Sequence, residues 1–325
     1  MSRVKLLYHL NISEPYLYDT DDPSKKRPGH QYLKTNFTAI SPAKWKRAEG
    51  PKTGSLVLAG GGDLQDSGIL EKFLSLAGAT NARIVAIPTA GTDVVAPLGQ
   101  DFDGTELTTM FREYGAAEVH VLHTRDPHTA SQPEFTAPLT NATGVWFTGG
   151  RQWRLVDAYA DTATLLAIKT VLDRGGVIGG TSAGATIQGS YLVRGDTRSR
   201  DIVMGDHQEG FGFISNCAVD QHLMKRNRQF DLFSVIREHP SLLGIGIDEA
   251  TAIVVSSSCC EIIGNSYVAI YNSAVNTAAR VSKNDESLQG EEFSALDQSE
   301  FRPFHLLQEG DRFDLVERTL FGKDN

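Results

Sequence analysis

Gly176-Val177-Ile178-Gly179-Gly180-Thr181-Ser182-Ala183-Gly184-Ala185-Thr186 is the stretch on which the fold turns. A short apolar run ends in a turn of small residues, and a helix-compatible segment, Ala185-Thr186-Ile187-Gln188, follows it. Gly180 to Gly184 fits G-x-S-x-G in the strand-turn-helix setting of a nucleophile elbow, where small neighbours let a tight turn push the serine Oγ into the open. The turn would also leave the Ala183 N–H free to meet an oxyanion. A Gly/Ala turn kept only for close helix–strand packing carries the same residues, so the surroundings have to decide. Upstream, the same unit recurs. Ser55-Leu56-Val57-Leu58-Ala59 runs into Gly60-Gly61-Gly62-Asp63 and a helical pattern through Ile69, Leu70, Phe73, Leu74 and Leu76. Arg83 to Ile87, a helix near Thr105 to Tyr114, Glu118 to Leu122, Gly144 to Phe147 with Thr148-Gly149-Gly150, and a helical region from Gln152 to Arg174 continue the alternation. Apolar strands alternating with helices predict an α/β fold, a mainly parallel sheet with helices on both faces. In such sheets the site lies beyond the carboxyl ends of the strands, where these Gly-rich turns fall.

The flanks differ in character. Residues 1–53 are polar and broken by Asp21-Asp22-Pro23-Ser24-Lys25-Lys26-Arg27-Pro28-Gly29, which predicts an N-terminal extension. Past about residue 250 the pattern turns β-rich, through Ala252 to Val255, Glu261 to Ile263 and Tyr267 to Ile270. The division expected is an extension over 1–53, a catalytic α/β domain over 54–272 and a C-terminal appendage over 273–325, with Ser282 to Glu300 as a polar loop.

The 325 residues carry 31 Lys+Arg against 40 Asp+Glu, a net charge of −9 that speaks against general binding to nucleic acid or anionic membranes. No run approaches the ~18 apolar residues of a membrane span, and the N-terminus lacks a signal-peptide pattern, so a cytoplasmic chain is expected. Three cysteines, Cys217, Cys259 and Cys260, form neither a zinc spacing nor a disulfide framework. No metal or organic cofactor is expected, since no histidines sit in an H-E-x-x-H or comparable pair.

A serine nucleophile needs a base and a group to orient it. Among nine histidines, His222 stands out in Asp220-Gln221-His222-Leu223-Met224-Lys225-Arg226-Asn227-Arg228, after an apolar segment. For the acid, Leu243-Gly244-Ile245-Gly246-Ile247-Asp248-Glu249 ends an apolar run in two carboxylates and leaves both open.

Taken in order, Gly60 to Asp63, Thr148-Gly149-Gly150-Arg151-Gln152, GGTSAGA, DQHLMKRNR and LLGIGIDEATA resemble the cyanophycinase branch of the S51 serine peptidases, relatives of aspartyl dipeptidase. The resemblance spans roughly residues 54–272. It implies an architecture like that of class I glutamine amidotransferases, flavodoxin-like, and it implies Ser182 as nucleophile, His222 as base and Glu249 as orienting acid. It further implies Ala183 and Gly150 as oxyanion donors, and Gln152, Asp220, Gln221, Arg226 and Arg228 as substrate-binding residues. Arginine donors suit the free carboxylates of an aspartyl backbone. The implied activity is hydrolysis of β-aspartyl isopeptide bonds in a cyanophycin-like or other aspartyl peptide, by a homodimer. The chain order Ser, His, acid differs from that of α/β-hydrolases, which weakens a generic esterase. The pattern breaks at one place: cyanophycinases carry a further arginine after the Arg-Asn-Arg run, whereas this chain reads Arg228-Gln229-Phe230-Asp231. Arg237, on the following helix, is the cation expected to make up for it. An α-aspartyl dipeptidase, another acyl hydrolase of the family and a non-catalytic binding module on the same fold remain as alternatives.

Overall fold

The computed structural model describes residues 46–91, 103–272 and 304–321, together with two short paired strands, Tyr16–Tyr18 and Lys26–Pro28. The larger of its two main sheets is built from the repeated strand–helix units. Strands β1 (Ser55–Ala59), β2 (Arg83–Ile87), β3 (Glu118–Val121), β4 (Gly144–Phe147) and β5 (Val177–Thr181) are parallel, in the order β1-β5-β4-β2-β3. The apolar runs of β1, β2, β4 and β5 are buried because helices cover the sheet, whereas β3 is an edge strand with Glu118 and His120 exposed. α1 (Ile69–Leu76) turns Ile69, Leu70, Phe73 and Leu74 inward, and Phe73 meets Trp146 of β4 edge-on at 4.9 Å between ring centroids. Each such buried side chain contributes ~1.5–3 kcal/mol relative to exposure. α2 (Thr105–Glu113) lies on the same side, packing Phe111 against Trp146. The Gln152 to Arg174 region is two helices, α3 (Trp153–Tyr159) and α4 (Ala163–Asp173), broken where Asp161 takes φ 57° and Thr162 caps α4. Their buried apolar residues belong to a core cluster separate from the one that α1 and α2 form with Trp146.

The β-rich part beyond residue 250 extends this sheet antiparallel to β1. β10 (Thr251–Ser256) pairs with β1 and with β11 (Cys259–Gly264), and β14 (Arg312–Asp314) and β15 (Thr319–Leu320) follow.

A second, six-stranded sheet goes beyond the sequence reading. β6 (Gly189–Gly195), β7 (His207–Glu209), β8 (Ile214–Gln221), β9 (Leu243–Ile247), β12 (Val268–Tyr271) and β13 (His305–Leu307) run in the order β13-β12-β9-β8-β6-β7. β8 is parallel to both β6 and β9. Two helices complete the elements used below, α5 (Ala183–Thr186) and α6 (Leu232–Glu238). α5 is a single turn that starts at Ala183, two residues before the segment read as helical, and the chain passes into β6 at Gly189.

Residues 46–50, the described end of the N-terminal extension, lie against the body. Gly50 N donates to Ser257 O, and the Arg47 carbonyl accepts from Asn216 Nδ2. Residues 304–321 add strands to both sheets, and the expected loop over Ser282 to Glu300 falls outside the described residues. No helix among the described residues is long and apolar enough to cross a membrane.

Candidate active site

The turn that closes β1 organises the site. Three carbonyls in a row receive amides from three separate segments. Ala59 O accepts from Ser182 N at 2.9 Å, Gly60 O from His222 N at 2.9 Å and Gly61 O from Ala250 N at 2.9 Å. The ends of β5, β8 and the β9–β10 turn are thereby drawn together at one point, from both sheets.

Ser182 sits at φ 56°, ψ −113°, a conformation that costs a non-glycine residue ~1–3 kcal/mol and that marks a nucleophile elbow. Gly180 and Gly184 permit it. A Cβ on Gly180 would stand 2.4 Å from Gly184 O, and one on Gly184 would stand 2.2 Å from Phe147 O. Close packing and the half-buried serine at the turn are therefore one arrangement, not rival readings of the motif.

Ser182 Oγ lies 2.9 Å from His222 Nε2, and His222 Nδ1 lies 2.6 Å from Glu249 Oε1. An ionised carboxylate only accepts, so the imidazole carries its proton on Nδ1 and leaves Nε2 to accept from the serine hydroxyl. Burial and the Arg226 guanidinium push the His222 pKa below its usual 6.5, against the opposing pull of Glu249. The imidazole is consequently neutral near pH 7, the state a general base needs. His222 itself stands at φ 54°.

The two carboxylates that the sequence left open have separate tasks. Glu249 reaches the imidazole, while Asp248 Oδ1 accepts from Met224 N and Lys225 N and its Oδ2 from Ser266 Oγ. Asp248 thus shapes the loop that follows His222.

The Gly149 backbone faces the nucleophile, since a Cβ there would lie 3.3 Å from Ser182 Cβ. Gly150, at φ 142°, is wedged against Ala90 O, where a Cβ would stand 2.0 Å away. Among the described residues the amides of Gly149, Gly150 and Ala183 are paired with no acceptor.

The expected substrate-binding residues divide in two. Gln152 is buried and donates to Val193 O at 2.6 Å. Asp220 is fully buried and receives Arg194 through Nε and Nη2, both at 2.9 Å, so the structure commits its carboxylate internally, whereas the sequence reading set it against substrate. Gln221 is likewise held, by Arg228 Nη1 at its carbonyl and its Oε1. Burial pushes the Arg228 pKa down to about 10, with Asp220 opposing and the Arg194 and Arg226 cations adding to the drop. Arg226 is the partly exposed member of the set, and its guanidinium makes no hydrogen bond or ion pair among the described residues. Arg237 is exposed at the far end of α6.

Sequence reasoning missed two contributors. Arg194 carried no signal, because it lies in a strand that was not anticipated. Gly61 and Gly62 were seen only as a turn, yet a Cβ on Gly61 would stand 2.3 Å from His222 Cε1 and one on Gly62 2.8 Å from Glu249 Oε2. Three consecutive glycines after a strand were the available clue. Among the described residues, no group of three or more His, Cys, Asp or Glu side chains is placed to hold a metal ion.

The model of peptidase family S51 matches residues 56–263, more than half of the chain and all of the site just described. This chain belongs to peptidase family S51. As an S51 member it is a serine-type peptidase. It is 34% identical over 277 residues to a cyanophycinase of Trichormus variabilis, covering 83% of this chain and 88% of the relative. A cyanophycinase of Geminocystis herdmanii is 33% identical over 265 residues, covering 80% and 93%. Among solved structures, a peptidase from an acI-B1 Actinobacterium aligns with a TM-score of 0.54 at 23% identity, over 82% of this chain and 98% of that one, which bears on the fold alone.

Proposed function

We propose that this S51 peptidase hydrolyses β-aspartyl isopeptide bonds by an acyl-enzyme route, with Ser182 as nucleophile, His222 as general base and Glu249 as the group that orients it. The observation carrying this reading is the unbroken relay from Ser182 Oγ through the imidazole to Glu249, at 2.9 and 2.6 Å. Ser182 Oγ attacks the carbonyl carbon while its proton passes to His222 Nε2. The negative charge formed on the carbonyl oxygen is met by the Ala183 and Gly150 amides, a pairing worth ~3–4 kcal/mol per donor in comparable sites. His222 then hands its proton to the leaving amine, the C–N bond breaks, and an ester remains on Ser182. Water, deprotonated by the same imidazole, attacks that ester and frees the acid.

The similarity to cyanophycinases favours an aspartyl polymer or its short fragments as substrate. Arg226, partly exposed and near His222 and Glu249, supplies the cation for a free aspartyl carboxylate. Product analysis after incubation with purified cyanophycin tests this, with β-Asp-Arg as the expected product. Cleavage of α-linked Asp-X dipeptides in preference to the polymer and to β-linked peptides would replace it with an aspartyl dipeptidase reading.

A further inference from the structure

Arg194 is the most heavily committed side chain near the site, and nothing in the motif pattern announces it. It lies on β6 at φ 57°, only 2% exposed. Its guanidinium grips Asp220 through Nε and Nη2, donates to Asp231 Oδ2 from Nη2 at 2.6 Å, and reaches the Arg200 carbonyl from Nη1 at 3.3 Å. Arg228 Nη1 stands 3.9 Å from Asp220 Oδ1, which completes a buried cluster of two cations and two anions. A carboxylate as buried as Asp220 stays charged only with such a partner. Burial alone would raise its pKa, but the paired Arg194 holds it below the usual carboxylate range.

Asp231 stands where the sequence resemblance leads one to expect an arginine. A second guanidinium there would face Arg194 in a dry site. In this chain the cation reaches Asp220 from β6, and an acid stands at the start of α6. Three segments meet on this ion pair. β6 follows the nucleophile turn, the end of β8 leads through Asp220 and Gln221 into His222, and Asp231 precedes Leu232 of α6.

We propose that Arg194, anchored by Asp231, is a positioning residue for the base: it fixes Asp220 and so sets the end of β8 from which His222 meets Ser182. The inference rests on the Ser182, His222 and Glu249 reading above. It names a specificity feature of this chain as well, because Asp220 is filled from within and closed to a cationic group of the substrate.

The test uses the full chain and four variants, Arg194→Met, Asp231→Asn, Asp231→Arg and Arg194→Met/Asp231→Arg. A neutral fluorophosphonate reports Ser182 reactivity without substrate binding, and the acid limb of its labelling rate reports His222. The charged and titratable groups around that imidazole are Glu249 from the β9–β10 turn and Arg226 and Arg228 from its own loop; the Ser182 hydroxyl and the Gly61 backbone complete its surroundings. Asp231→Arg is expected to slow labelling at pH 7.5 at least ~100-fold, and the double variant to recover to within ~10-fold of wild type, consistent with coupling inside one ion-pair network. Arg194→Met and Asp231→Asn are expected to slow labelling as well, with the acid limb near its wild-type pH, because neither group faces the imidazole. Rescue in the double variant is a readout that a merely structural role at either position would not give, and thermal unfolding of each variant separates loss of fold from loss of position. A double variant no faster than Asp231→Arg, or single variants that label as fast as wild type, would overturn the inference. Failure of the wild type itself to label at Ser182 would instead remove the catalytic reading, and the inference with it.

Discussion

The Cβ that Gly61 lacks would stand 2.3 Å from Cε1 of His222, so the imidazole rests directly on the backbone of the first strand's closing turn. Gly61 takes φ 113°, and its carbonyl receives the Ala250 amide beside Glu249. Gly61→Ala therefore pushes the base away from Ser182 and strains the turn at once. A displacement of about 1 Å at a catalytic group costs ~100-fold in rate, and kcat of Gly61→Ala should fall by at least that, with little change in KM. Gly115→Ala provides the control. Its φ is 99°, but a Cβ there meets nothing within 4 Å, so it should cost ~1 kcal/mol of stability and leave kcat unchanged. Equal kcat losses in the two variants would show that strain alone, not contact with His222, is responsible.

Ser182 carries strain of its own, at φ 56° and ψ −113°. Ser182→Ala is expected to lower kcat by ~10⁴-fold or more while the protein stays folded. Ser182→Gly should be equally inactive yet more stable than Ser182→Ala, by about 1 kcal/mol, because glycine relieves the disfavoured backbone. Chemical unfolding of the two inactive variants makes the comparison, and an alanine variant at least as stable as the glycine one would mean that the turn holds no strain.

The parallel half of the fold was legible because all its strands but β3 are short apolar runs that end at Gly, Pro or Thr, and the period changes visibly at Ile69 and Thr105. The second sheet was not. β6 reads Gly-Ser-Tyr-Leu-Val-Arg-Gly, with glycine at both ends and a buried arginine inside, and its burial comes from neighbours distant in sequence. The strained turn at Ser182 was legible because a tight turn demands small residues locally. Which of Asp248 and Glu249 meets the imidazole was given by the family resemblance alone, since from the residues it depends on which way a turn between two different sheets points each side chain. The commitment of Asp220 was hidden for the same reason: its partner Arg194 comes from the unanticipated strand, whereas Arg237, the cation that the sequence offered, is exposed.

The adjacent carboxylates provide a paired test. Glu249→Gln keeps the shape but cannot stabilise the imidazolium or enforce the Nδ1–H tautomer, and kcat should drop by ~10³–10⁴-fold with stability nearly unchanged. Asp248→Asn weakens the two amide bonds that shape residues 224–225 and should cost ~1–3 kcal/mol of stability with a much smaller loss of kcat. The reverse ranking would assign the orienting role to Asp248.

Arg226 adds to burial in lowering the pH at which the His222 imidazole becomes neutral. Burial and Arg226 together lower the His222 pKa from 6.5, and Glu249 opposes them. Since the base works in its neutral form, the acid limb of kcat/KM lies below pH 6.5 in the wild type. The same depression means that the unfolded chain binds the proton more readily, so stability falls as pH drops from 6.5 through the lower folded pKa. In Arg226→Met one cause of the depression is gone, the imidazole pKa rises toward 6.5, and the acid limb moves up with it. A carboxylated substrate would lose a partner at the same time, raising KM. Labelling by a neutral fluorophosphonate separates the two effects, because it senses the base and not the carboxylate contact. An upward shift of the limb with this probe, together with a raised KM for β-Asp-Arg substrates, is the expected pair of results; a limb that stays in place would show that Arg226 acts on the substrate alone.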